Sequence, residues 1–492
     1  MRDSLPHSDA AGPGLHEILD GVDAAIDANV AVNGIAYRSD AVQPGDVFFA
    51  VAGFAHDGHA YIADAVAHGA AAIVAERRDE GAGDVPYAVV PDSRVALARA
   101  SARFYGDPSG SMDVVGITGT NGKTTTVYLT DSILRSAGRV TGLIGTVETR
   151  VAGERLPSER TTPESADLHA LFARMRDAGV TAACMEVSSH AIDLHRVDAV
   201  RFAVVAFTNL TQDHLDYHHT LQEYYAVKRR LFTEFDVGRR VVNIDDELGA
   251  GLALELDDVL TIGISGDADV RASDVQLGAR ESRFRLATPW GTADVVLPLA
   301  GAFNVSNALV ASACALAIGV DLESVVRGLE DAPQVPGRME RVDAGQSFAV
   351  YVDYAHTPDS LEKALAALSD LTEGRLIVVF GCGGDRDRAK RPAMAAAAAR
   401  GADYAVLTSD NPRTEDPVGI LRQVEDGIRD SGTPYHVEVD RRSAIAQALA
   451  LAAEGDAVLI AGKGHEDYQI FADRTIHFDD REVVREELER SC

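Results

Sequence analysis

The sequence predicts an α/β protein of three domains, in which the second and third domains are built on mainly parallel sheets. The chain has 492 residues, which exceeds what one hydrophobic core normally serves. Short apolar runs alternate with helical stretches along most of its length, and this alternation is typical of parallel strands joined by crossover helices. A glycine-rich stretch, GITGTNGKTTT (116–126), stands directly between a strand-like run and a helical pattern.

The first domain is predicted at residues 1–108 and has the pattern of a small α/β unit. DVFFAV (46–51) and AAIVAE (71–76) are predicted strands, and AYIADAVAHGA (60–70) is a predicted helix that ends at glycine. A stretch rich in glycine, proline and serine, GDPSGS (106–111), is the predicted linker to the next domain.

The central domain is predicted at residues 109–333. A helix is expected directly after the glycine-rich stretch, from Thr124 to a stop at Gly138. The predicted strands are MDVVGI (112–117), TAACMEV (181–187), FAVVAFTNL (202–210) and RRVVNI (239–244), with a β-hairpin at 282–299 and a long helix at 304–318.

The third domain is predicted at residues 334–492 and is expected to be Rossmann-like. Each of its predicted strands ends in a polar loop, and open parallel sheets bind ligands outside the carboxyl ends of their strands. The strands are FAVYVDYA (348–355), RLIVVF (375–380), YAVLTS (404–409) and AVLIAG (457–462), and PAMAAAAARGA (392–402) is a predicted helix.

The composition narrows the class of protein. The formal net charge is −30, which argues against binding to nucleic acid or to an anionic membrane, because such surfaces need clustered cations. Four widely spaced cysteines form no disulfide framework or zinc pattern. The start, MRDSLPHSDAAGPG (1–14), has no apolar core of a leader peptide, and the longest mostly apolar stretch, 308–320, is too short to span a bilayer. We therefore expect a cytoplasmic protein with no membrane partner.

The glycine-rich stretch has the context of a phosphate cradle but not the standard spacing. The usual pattern places a glycine five residues before Gly122, and that position, 117, is isoleucine. Small residues at a helix N-terminus nevertheless let backbone N–H groups approach an anion. Lys123 would then reach the terminal phosphates and the Thr124 hydroxyl would hold Mg²⁺. The alternative is a plain glycine turn with a solvated lysine.

Further polar residues follow two later strands. CMEVSSHAIDLHR places Glu186, Ser188, Ser189 and His190 beyond one apolar run, and TNLTQDHLDYH places Asn209, Asp213 and His214 beyond another. Each of them alone would more often be structural. Their convergence at one edge of a sheet favours Mg²⁺, which takes hard oxygen ligands together with phosphate oxygens.

These motifs carry a family resemblance. TGTNGKTTT, MEVSSHAI, TNLTQDHLDYH, YYAVKRRLF, GAFNVSNALVA, PGRMERV and VDYAHTPDSL follow one another in the order seen in the Mur ligases of peptidoglycan synthesis. In that family the phosphate loop reads Gly-Thr-x-Gly-Lys-Thr, as at 119–124, so the unusual spacing belongs to another lineage of loop. VQPGDVFFAVAGFAHDGHAYI (42–62) is similar to the nucleotide-sugar domain of the same enzymes.

The resemblance implies an ATP-dependent ligase that joins an amine to a carboxylate through an acyl phosphate, in three-domain Mur ligase architecture with a central P-loop domain. It implies ATP contacts, catalytic groups and Mg²⁺ ligands by position. The ATP set is Gly119, Thr120, Asn121, Gly122, Lys123, Thr124, Thr125, Asn304, Asn307, Arg338, Asp353 and His356. The catalytic set is Lys123, Glu186, His214 and Lys228, and the metal set is Thr124, Glu186, His214 and Lys228 as a carbamate formed with CO₂.

Two readings of Lys228 stay open. The resemblance implies carbamylation, which turns a cation into an anion that can support Mg²⁺. Beside Arg229 and Arg230, the residue also fits a plain lysine on a helix surface, and the sequence alone favours that reading.

The third domain bears on which amino acid is added. SDNPRTEDP contains Asp410, Asn411, Pro412 and Arg413, which resembles the signature of the meso-diaminopimelate-adding members, whereas lysine-adding members differ at the arginine. Diaminopimelate is lysine with one more carboxylate, and an arginine fork matches a carboxylate. The resemblance adds three further contacts with this substrate, Arg386, Gly462 and Glu466.

The other substrate implied is UDP-N-acetylmuramoyl-L-alanyl-D-glutamate. Thr161, Thr162, Ser188 and Arg196 match family contacts with it, and Ser39 is a candidate in the first domain. Here the sequence departs from the family, because the usual Asp-Ser-Arg is replaced by Arg38-Ser39-Asp40. A monomer is the family expectation.

Rival functions are a lysine-adding Mur ligase, a ligase like folylpolyglutamate synthase, and a nucleotide-driven switch or GTPase. The first domain and the Asp-Asn-Pro-Arg motif argue against the second, and a switch needs no amino-acid site. FGCGGDRDRAKRP (380–392) invites comparison with a dinucleotide fingerprint, but its sixth position is Arg386. A hydride-transfer enzyme is therefore disfavoured.

Overall fold

The computed structural model describes residues 12–53, 56–158 and 160–491. Residues 1–11, where no leader peptide is expected, lie outside the described residues. The last cysteine, Cys492, does so as well. Three large sheets follow one another along the chain, with five, eleven and six strands.

The first sheet has the strand order β1-β5-β4-β3-β2 and is parallel except for the β1–β5 pair. Two apolar clusters cover its two faces, one around Val47 and Leu97 and the other around Phe48 and Ile62. Its elements are α1 (Leu15–Ile18), β1 (Ala25–Ile26), β2 (Gly34–Ala36), β3 (Asp46–Phe49), α2 (Ile62–Ala67), β4 (Ala72–Ala75), β5 (Tyr87–Val89) and α3 (Ser93–Phe104).

The second sheet has eleven strands, and its middle is parallel while both ends are antiparallel. Its order is β16-β15-β14-β13-β12-β11-β6-β10-β7-β8-β9. Its elements are β6 (Asp113–Thr118), α4 (Lys123–Ser136), β7 (Thr141–Ile144), β8 (Thr149–Val151), β9 (Glu154–Leu156), α5 (Ser165–Asp177), β10 (Ala182–Glu186), α6 (Ser189–Asp193), β11 (Phe202–Phe207), α7 (Leu215–His218), α8 (Leu221–Thr233), β12 (Val237–Asn243), α9 (Glu247–Glu255), β13 (Val259–Gly263), β14 (Val270–Leu277), β15 (Ser282–Thr288), β16 (Gly291–Leu297), α10 (Ala302–Ala317) and α11 (Leu322–Glu330).

Strand order in this sheet decides where the polar loops meet. β6 pairs in parallel with β10 on one side and with β11 on the other. The loops that follow these three strands therefore start at one edge of the sheet, since parallel strands end on the same side. They are the glycine-rich loop after Thr118, the loop after Glu186 and the loop after Phe207.

The third sheet has the order β17-β18-β22-β19-β20-β21 and is parallel except for β17. Helices cover both faces, as in a Rossmann-like fold. The elements are β17 (Glu340–Arg341), β18 (Ala349–Asp353), α12 (Pro358–Ser369), β19 (Leu376–Phe380), α13 (Lys390–Gly401), β20 (Tyr404–Leu407), α14 (Pro417–Glu425), β21 (Tyr435–Val437), α15 (Arg441–Leu451), β22 (Ala457–Ala461), β23 (Tyr468–Ile470), β24 (Thr475–His477) and α16 (Asp480–Ser491).

The predicted fold class is confirmed, and the predicted strands and helices appear with shifts of a few residues. The hairpin at 282–299 is β15 and β16, paired from Ser282↔Leu297 to Thr288↔Gly291. The helix after the glycine-rich loop ends near Gly138, whose φ of +75° breaks it. The division of the chain at 108 and 333 stays a prediction. Among the described residues, no helix combines the length and apolar character needed to cross a bilayer.

Candidate active site

The glycine-rich loop after β6 requires glycine at two positions. Gly119 has φ +145° and Gly122 has φ +87°, conformations that side chains rarely adopt. A Cβ on Gly119 would lie 1.9 Å from Thr208 Oγ1, and one on Gly122 would lie 2.3 Å from Asn307 Oδ1. The loop backbone therefore packs directly against neighbouring elements, with α4 starting at its end.

The segment after β11 holds this loop in place. The Thr120 N–H donates to the Asn209 carbonyl at 2.8 Å. The Asn121 N–H donates to Asn209 Oδ1 at 3.0 Å, and the Thr211 N–H donates to Thr120 Oγ1 at 3.0 Å. Asn209 therefore supports the loop through both its carbonyl and its side chain. Thr125, in the first turn of α4, is buried.

Lys123 folds over the loop from the first turn of α4. Its Nζ donates to the carbonyls of Gly119 at 3.0 Å and Thr120 at 2.8 Å. Burial lowers the pKa of the Lys123 ammonium, and the carboxylates of Glu186 and Asp213 oppose the shift. The loop therefore carries a cation where phosphate oxygens would approach the helix N-terminus.

Glu186 ends β10 beside the start of α4 and is 1% exposed. Its Oε1 accepts from the Thr124 hydroxyl at 3.0 Å and from the Thr146 N–H at 2.7 Å. A carboxylate and a hydroxyl, both hard oxygen ligands, thus stand together at the phosphate loop, which is a donor set that fits Mg²⁺. Within the described part of the chain, no group of three or more histidine, cysteine, aspartate or glutamate side chains is arranged to hold a metal ion.

Lys228 lies inside the protein, so the reading of a surface lysine is wrong. It is 1% exposed, and its amine lies at the end of the strand that precedes the phosphate loop. Its Nζ donates to the Gly119 carbonyl at 2.9 Å and to Thr118 Oγ1 at 3.3 Å, and it lies 4.7 Å from the Tyr224 ring centroid. Burial and the neighbouring Lys123 hold the pKa of the Lys228 amine well below its usual value.

His214 lies in the same neighbourhood, in a left-handed conformation with φ +53°. Its N–H donates to Asp213 Oδ1 at 2.8 Å, and its ring centroid is 4.9 Å from that of His190. The side chain is 44% exposed, and its partial desolvation lowers the pKa of the His214 imidazole, with Asp213 opposing. A neutral imidazole, the form that binds metal or phosphate through its nitrogen lone pair or N–H, is therefore favoured.

The third domain reaches the phosphate loop through Arg338. Its NH2 donates to Thr124 Oγ1 at 3.3 Å, and its guanidinium lies 4.5 Å from the Tyr354 ring centroid. A second link is the Thr211 hydroxyl, which donates to Asp359 Oδ2 at 2.9 Å. The central and third domains therefore meet at the phosphate loop.

Asp353 and His356 flank this contact at the end of β18. Asp353 accepts from the Met339 N–H at 2.7 Å and the Ala355 N–H at 2.8 Å, and burial raises the pKa of its carboxyl. His356 Nδ1 is 2.9 Å from the Tyr354 carbonyl, and burial lowers the pKa of its imidazole. Both residues fix the backbone that carries Arg338 and Tyr354.

The two asparagines of α10 lie behind the loop and are buried. Asn307 Nδ2 donates to Asn304 Oδ1 at 3.1 Å, and Asn304 Nδ2 donates to the Ala300 carbonyl at 2.8 Å. Asn307 Oδ1 lies close to Gly122, where a Cβ would be 2.3 Å from it, so this pair supports the phosphate loop from behind.

Most residues expected at the muramoyl-peptide side adjoin Glu186. Thr162 Oγ1 donates to the Glu186 carbonyl at 2.9 Å and accepts from the Ser188 N–H at 3.2 Å. Arg196 NH1 donates to the Thr162 carbonyl at 3.3 Å. Thr161 Oγ1 is 2.9 Å from Thr146 Oγ1, which itself contacts Glu186. These residues therefore lie next to the Thr124–Glu186 pair, along the same sheet edge.

Ser39 is placed differently from that group. It begins a single 3₁₀ turn, and its carbonyl accepts from the Val42 N–H at 3.3 Å. The substituted neighbours Arg38 and Asp40 pair with each other at 2.7 Å, with side chains 62% and 67% exposed. No described contact joins Ser39 to the residues around Glu186.

The residues expected to hold the amino acid come together from separate loops. Gly384 donates its N–H to the Asn411 carbonyl at 2.9 Å, and Arg413 NH1 donates to the Gly384 carbonyl at 2.9 Å. A Cβ on Gly383 would lie 2.8 Å from Arg413 NH1 and 3.8 Å from Arg386 Cγ. Arg386 and Arg413 therefore both lie beside Gly383, in the loop after β19.

The loop after β22 completes this group. Asn411 Nδ2 donates to Glu466 Oε2 at 2.9 Å, and the fully buried Lys463 lies 3.4 Å from the same oxygen. Burial raises the pKa of the Glu466 carboxyl, with Lys463 opposing. A Cβ on Gly462 would lie 2.7 Å from Asp410 Oδ2. Pro412 packs against the loop after β19, because a Cβ on Gly384 would lie 1.9 Å from the Pro412 carbonyl oxygen.

Three family models match the chain in order. They are "Mur ligase family, catalytic domain" at 31–105, "Mur ligase middle domain" at 117–315 and "Mur ligase, glutamate ligase domain" at 337–464. A Bacillus licheniformis protein named UDP-N-acetylmuramoyl-L-alanyl-D-glutamate–2,6-diaminopimelate ligase is 46% identical over 462 residues, covering 92% of this chain and 94% of that protein. The chain belongs to the Mur ligase family.

Other relatives agree with this membership. A Streptomyces coelicolor protein of the same name is 47% identical over 482 residues, covering 95% of this Mur ligase and 94% of that protein. A solved structure, also of a UDP-N-acetylmuramoyl-L-alanyl-D-glutamate–2,6-diaminopimelate ligase, superposes with a TM-score of 0.71 at 33% identity and covers 98% of this chain and 99% of that one. Mur ligases use ATP.

Sequence reasoning missed several groups that hold the site together. Thr146 donates to Glu186, Asp359 links the third domain to Thr211, and Glu415 joins two loops of the third domain. Each partner is distant in sequence, so no spacing marks it. The one available signal was motif membership, since Asp359 lies within VDYAHTPDSL and Glu415 lies within SDNPRTEDP, whereas nothing in the sequence marked Thr146.

Proposed function

We propose that this Mur ligase adds meso-diaminopimelate to UDP-N-acetylmuramoyl-L-alanyl-D-glutamate, with ATP converted to ADP and phosphate. The observation that carries the choice of amino acid is the placement of Arg413 beside Arg386, with Glu466 bonded to the Arg413 loop through Asn411. This arrangement offers cations for carboxylates and an anion for an ammonium. The names of relatives at 46–47% identity support the same substrate. The reaction belongs to the synthesis of peptidoglycan precursors, and hence to cell wall biogenesis, cell shape and cell division.

The chemistry follows from the low reactivity of a carboxylate. The D-glutamyl carboxylate attacks the γ-phosphorus of ATP, the bond to the β-phosphate oxygen breaks, and ADP leaves with an acyl phosphate remaining. The neutral amine of diaminopimelate then attacks the acyl carbon and loses a proton, and inorganic phosphate departs. Lys123 and Arg338 supply the positive charge around the transferring group, because positioning and electrostatic stabilisation dominate such reactions.

Magnesium is proposed at Thr124 and Glu186, with His214 and Lys228 as nearby supporting groups. The 3.0 Å contact between the Thr124 hydroxyl and Glu186 places two suitable oxygens beside the phosphate loop. Mg²⁺ bound there would neutralise negative charge on the phosphates. His214, held by Asp213, would orient toward the same phosphates.

Lys228 is proposed to be carbamylated. A carbamate forms when a neutral amine attacks CO₂ and releases a proton, so a depressed amine pKa favours the reaction. Burial and Lys123 depress the pKa of Lys228 in this way. The carbamate would place an anion beside Gly119 of the phosphate loop, where an ammonium would repel Mg²⁺.

The remaining contacts follow the same proposal. ATP lies on residues 119–125, with Asn304 and Asn307 toward the base and Arg338, Asp353 and His356 from the third domain. The muramoyl dipeptide lies on Thr161, Thr162, Ser188 and Arg196, with Ser39 toward the nucleotide end. Diaminopimelate lies on Arg386, Asp410, Asn411, Pro412, Arg413, Gly462 and Glu466. Residues 1–108, 109–333 and 334–492 form the three domains of a cytoplasmic monomer.

One coupled assay tests the function against its rivals. Phosphate release from ATP is measured with the muramoyl dipeptide and diaminopimelate together, with each one omitted, and with L-lysine in place of diaminopimelate. We expect release only when both substrates are present and a strong preference for diaminopimelate. Equal turnover with L-lysine would identify a lysine-adding ligase, and release without an amine would identify a nucleotide switch. Activity with a folate acceptor would favour the folylpolyglutamate-type reaction.

A further inference from the structure

Arg391, at the start of α13, is a fully buried arginine without a part in the proposed reaction. Its NH1 donates to Glu415 Oε2 at 3.0 Å and its NH2 donates to Glu415 Oε1 at 2.8 Å, so that the fork grips both carboxylate oxygens. It also donates to Gln423 Oε1 at 2.8 Å and to the Gly383 carbonyl at 3.2 Å. No part of its side chain is exposed, so Arg391 cannot touch a substrate.

These bonds join two loops, defined here as the β19 loop (381–389) and the β20 loop (410–416). The β19 loop carries Arg386, and the β20 loop carries Arg413. Glu415 Oε1 also accepts from the Asp385 N–H at 2.7 Å. The Arg391 guanidinium, followed by that N–H group, lowers the pKa of Glu415 to about 2, so the carboxylate is ionised at any assay pH.

A second set of bonds ties the loops at the surface. The Thr414 hydroxyl donates to Asp385 Oδ1 at 2.8 Å, and the Thr414 N–H donates to Asp385 Oδ2 at 3.1 Å. Both Asp385 (φ +54°) and Arg413 (φ +53°) have left-handed backbone conformations. A non-glycine residue keeps such a conformation only where its surroundings hold it there. The loop-to-loop bonds are those surroundings.

We propose that the Arg391–Glu415 pair is a positioning device for the amino-acid substrate, which sets the separation of Arg386 and Arg413 by locking the β19 and β20 loops together. This inference rests on the proposed function. Recognition of a carboxylate by guanidinium forks tolerates errors of only about 0.5 Å. A pair that fixes loop separation therefore acts on affinity for the amino acid, while the phosphate loop of the central domain is unaffected.

A purely structural role would look different. Buried ion pairs contribute little net stability on average, since the desolvation cost offsets the attraction. The Arg391 bonds also run across two loops at the carboxyl end of the sheet rather than within the core. Arg375 offers a contrast, because it binds Asp456 through Nε at 3.2 Å and NH2 at 2.7 Å just before β19, at the opposite end of the strand.

The experiment compares Arg391→Lys, Thr414→Val and the control Arg375→Lys by steady-state kinetics. Lysine keeps the charge but loses the two-pronged grip. We expect Arg391→Lys to raise KM for diaminopimelate by about 10-fold or more, with kcat and KM for ATP changed by less than about 3-fold. Thr414 is exposed, so Thr414→Val will fold, and we expect about a 3-fold rise in the same KM. Arg375→Lys should leave it unchanged.

The outcomes separate this inference from the proposed function. A wild-type enzyme that does not use diaminopimelate contradicts the proposed function. A wild-type enzyme that uses it, with an unchanged KM in both Arg391→Lys and Thr414→Val, overturns the positioning role. Parallel losses of kcat, ATP affinity and thermal stability in Arg391→Lys would indicate a structural role, and this result would also overturn the positioning role. Should Arg391→Lys be insoluble, the KM of Thr414→Val decides.

Discussion

The glycine-rich phosphate loop and the proposed amino-acid site both lie at the carboxyl ends of parallel strands, yet they are built by different means. Residues 119–125 form one continuous segment, in which Gly119 and Gly122 pack closely against neighbouring elements. This segment leads into the N-terminus of α4, which is a position suited to an anion. The amino-acid site draws Arg386, Arg413 and Glu466 from three loops, which follow β19, β20 and β22. The first site depends on local backbone shape and the second on the relative position of side chains.

This difference predicts which property of the enzyme a change at each site would alter. Backbone N–H groups at a helix N-terminus would contact only the phosphates of ATP, whichever amino acid is added. Recognition of one amino acid depends on single charged side chains and on the bonds that hold their loops, such as the 2.9 Å bond from Arg413 to the Gly384 carbonyl. Changes near the phosphate loop should therefore reduce turnover of every substrate, whereas changes in the third domain should alter selectivity.

The largest expected effect belongs to Lys228. Replacement by alanine should reduce turnover by about 1000-fold with every amino acid tested, because the proposed anion beside the metal is lost. Acetate or formate should restore part of the activity by filling the space with a free carboxylate. Arg229→Ala, one residue along the same helix and paired with Glu255 at the surface, is the control and should stay within about 2-fold.

This prediction is checked by initial rates with and without added carboxylate. An unaffected Lys228→Ala enzyme would remove the proposed role. Intact-protein mass spectrometry at high bicarbonate tests the modification itself, since the carbamate adds the mass of CO₂ at this one lysine.

A smaller and more selective effect is expected at Arg413. Its replacement by alanine removes a charged contact worth about 2–3 kcal/mol, so that kcat/KM for diaminopimelate should fall by about 30- to 150-fold. The rate with L-lysine should change little, and the preference for diaminopimelate should collapse. Arg429→Ala, which alters an exposed arginine of the same domain, is the control. A preserved preference in Arg413→Ala would contradict the substrate assignment.

The smallest effect concerns His465, which lies between the two sites. A Cβ on Gly337, beside Arg338, would lie 2.1 Å from the His465 backbone nitrogen. Burial, followed by the charges of Arg338, Arg481 and Lys463, lowers the pKa of His465 to about 3. The unfolded chain, with a histidine pKa near 6.5, therefore binds this proton first as the pH falls, and stability is lost between about pH 6.5 and 3.

Thermal unfolding between pH 7 and pH 4 checks this sign. The wild type should lose more stability than His465→Gln over that range, by about 2 °C or more in Tm. His477 is the contrasting case, because its bond to Glu482 raises its pKa, so its contribution is present at low pH and disappears as the pH rises. Equal pH dependence of the wild type and His465→Gln would contradict the prediction.

Much of the site could be predicted from the sequence, and the misses share a cause. The strand, glycine loop and helix around Lys123 are contiguous, so their local pattern is sufficient. Glu186 and His214 were placed by counting polar residues after strands. By contrast, Thr146 is 40 residues from its partner Glu186, and Glu415 is 24 residues from its partner Arg391. No local sequence pattern predicts such pairs.

The sequence by itself determined the α/β class, the order of strands and helices, and the phosphate loop, because each depends on residues that are neighbours in the chain. Only the tertiary structure decided that Lys228 and Arg391 are buried, with 1% and 0% of their surface exposed. Burial, a shifted pKa and a two-pronged ion pair depend on what packs against a side chain. For these two residues the packing comes from the strand and loops that the fold brings to them.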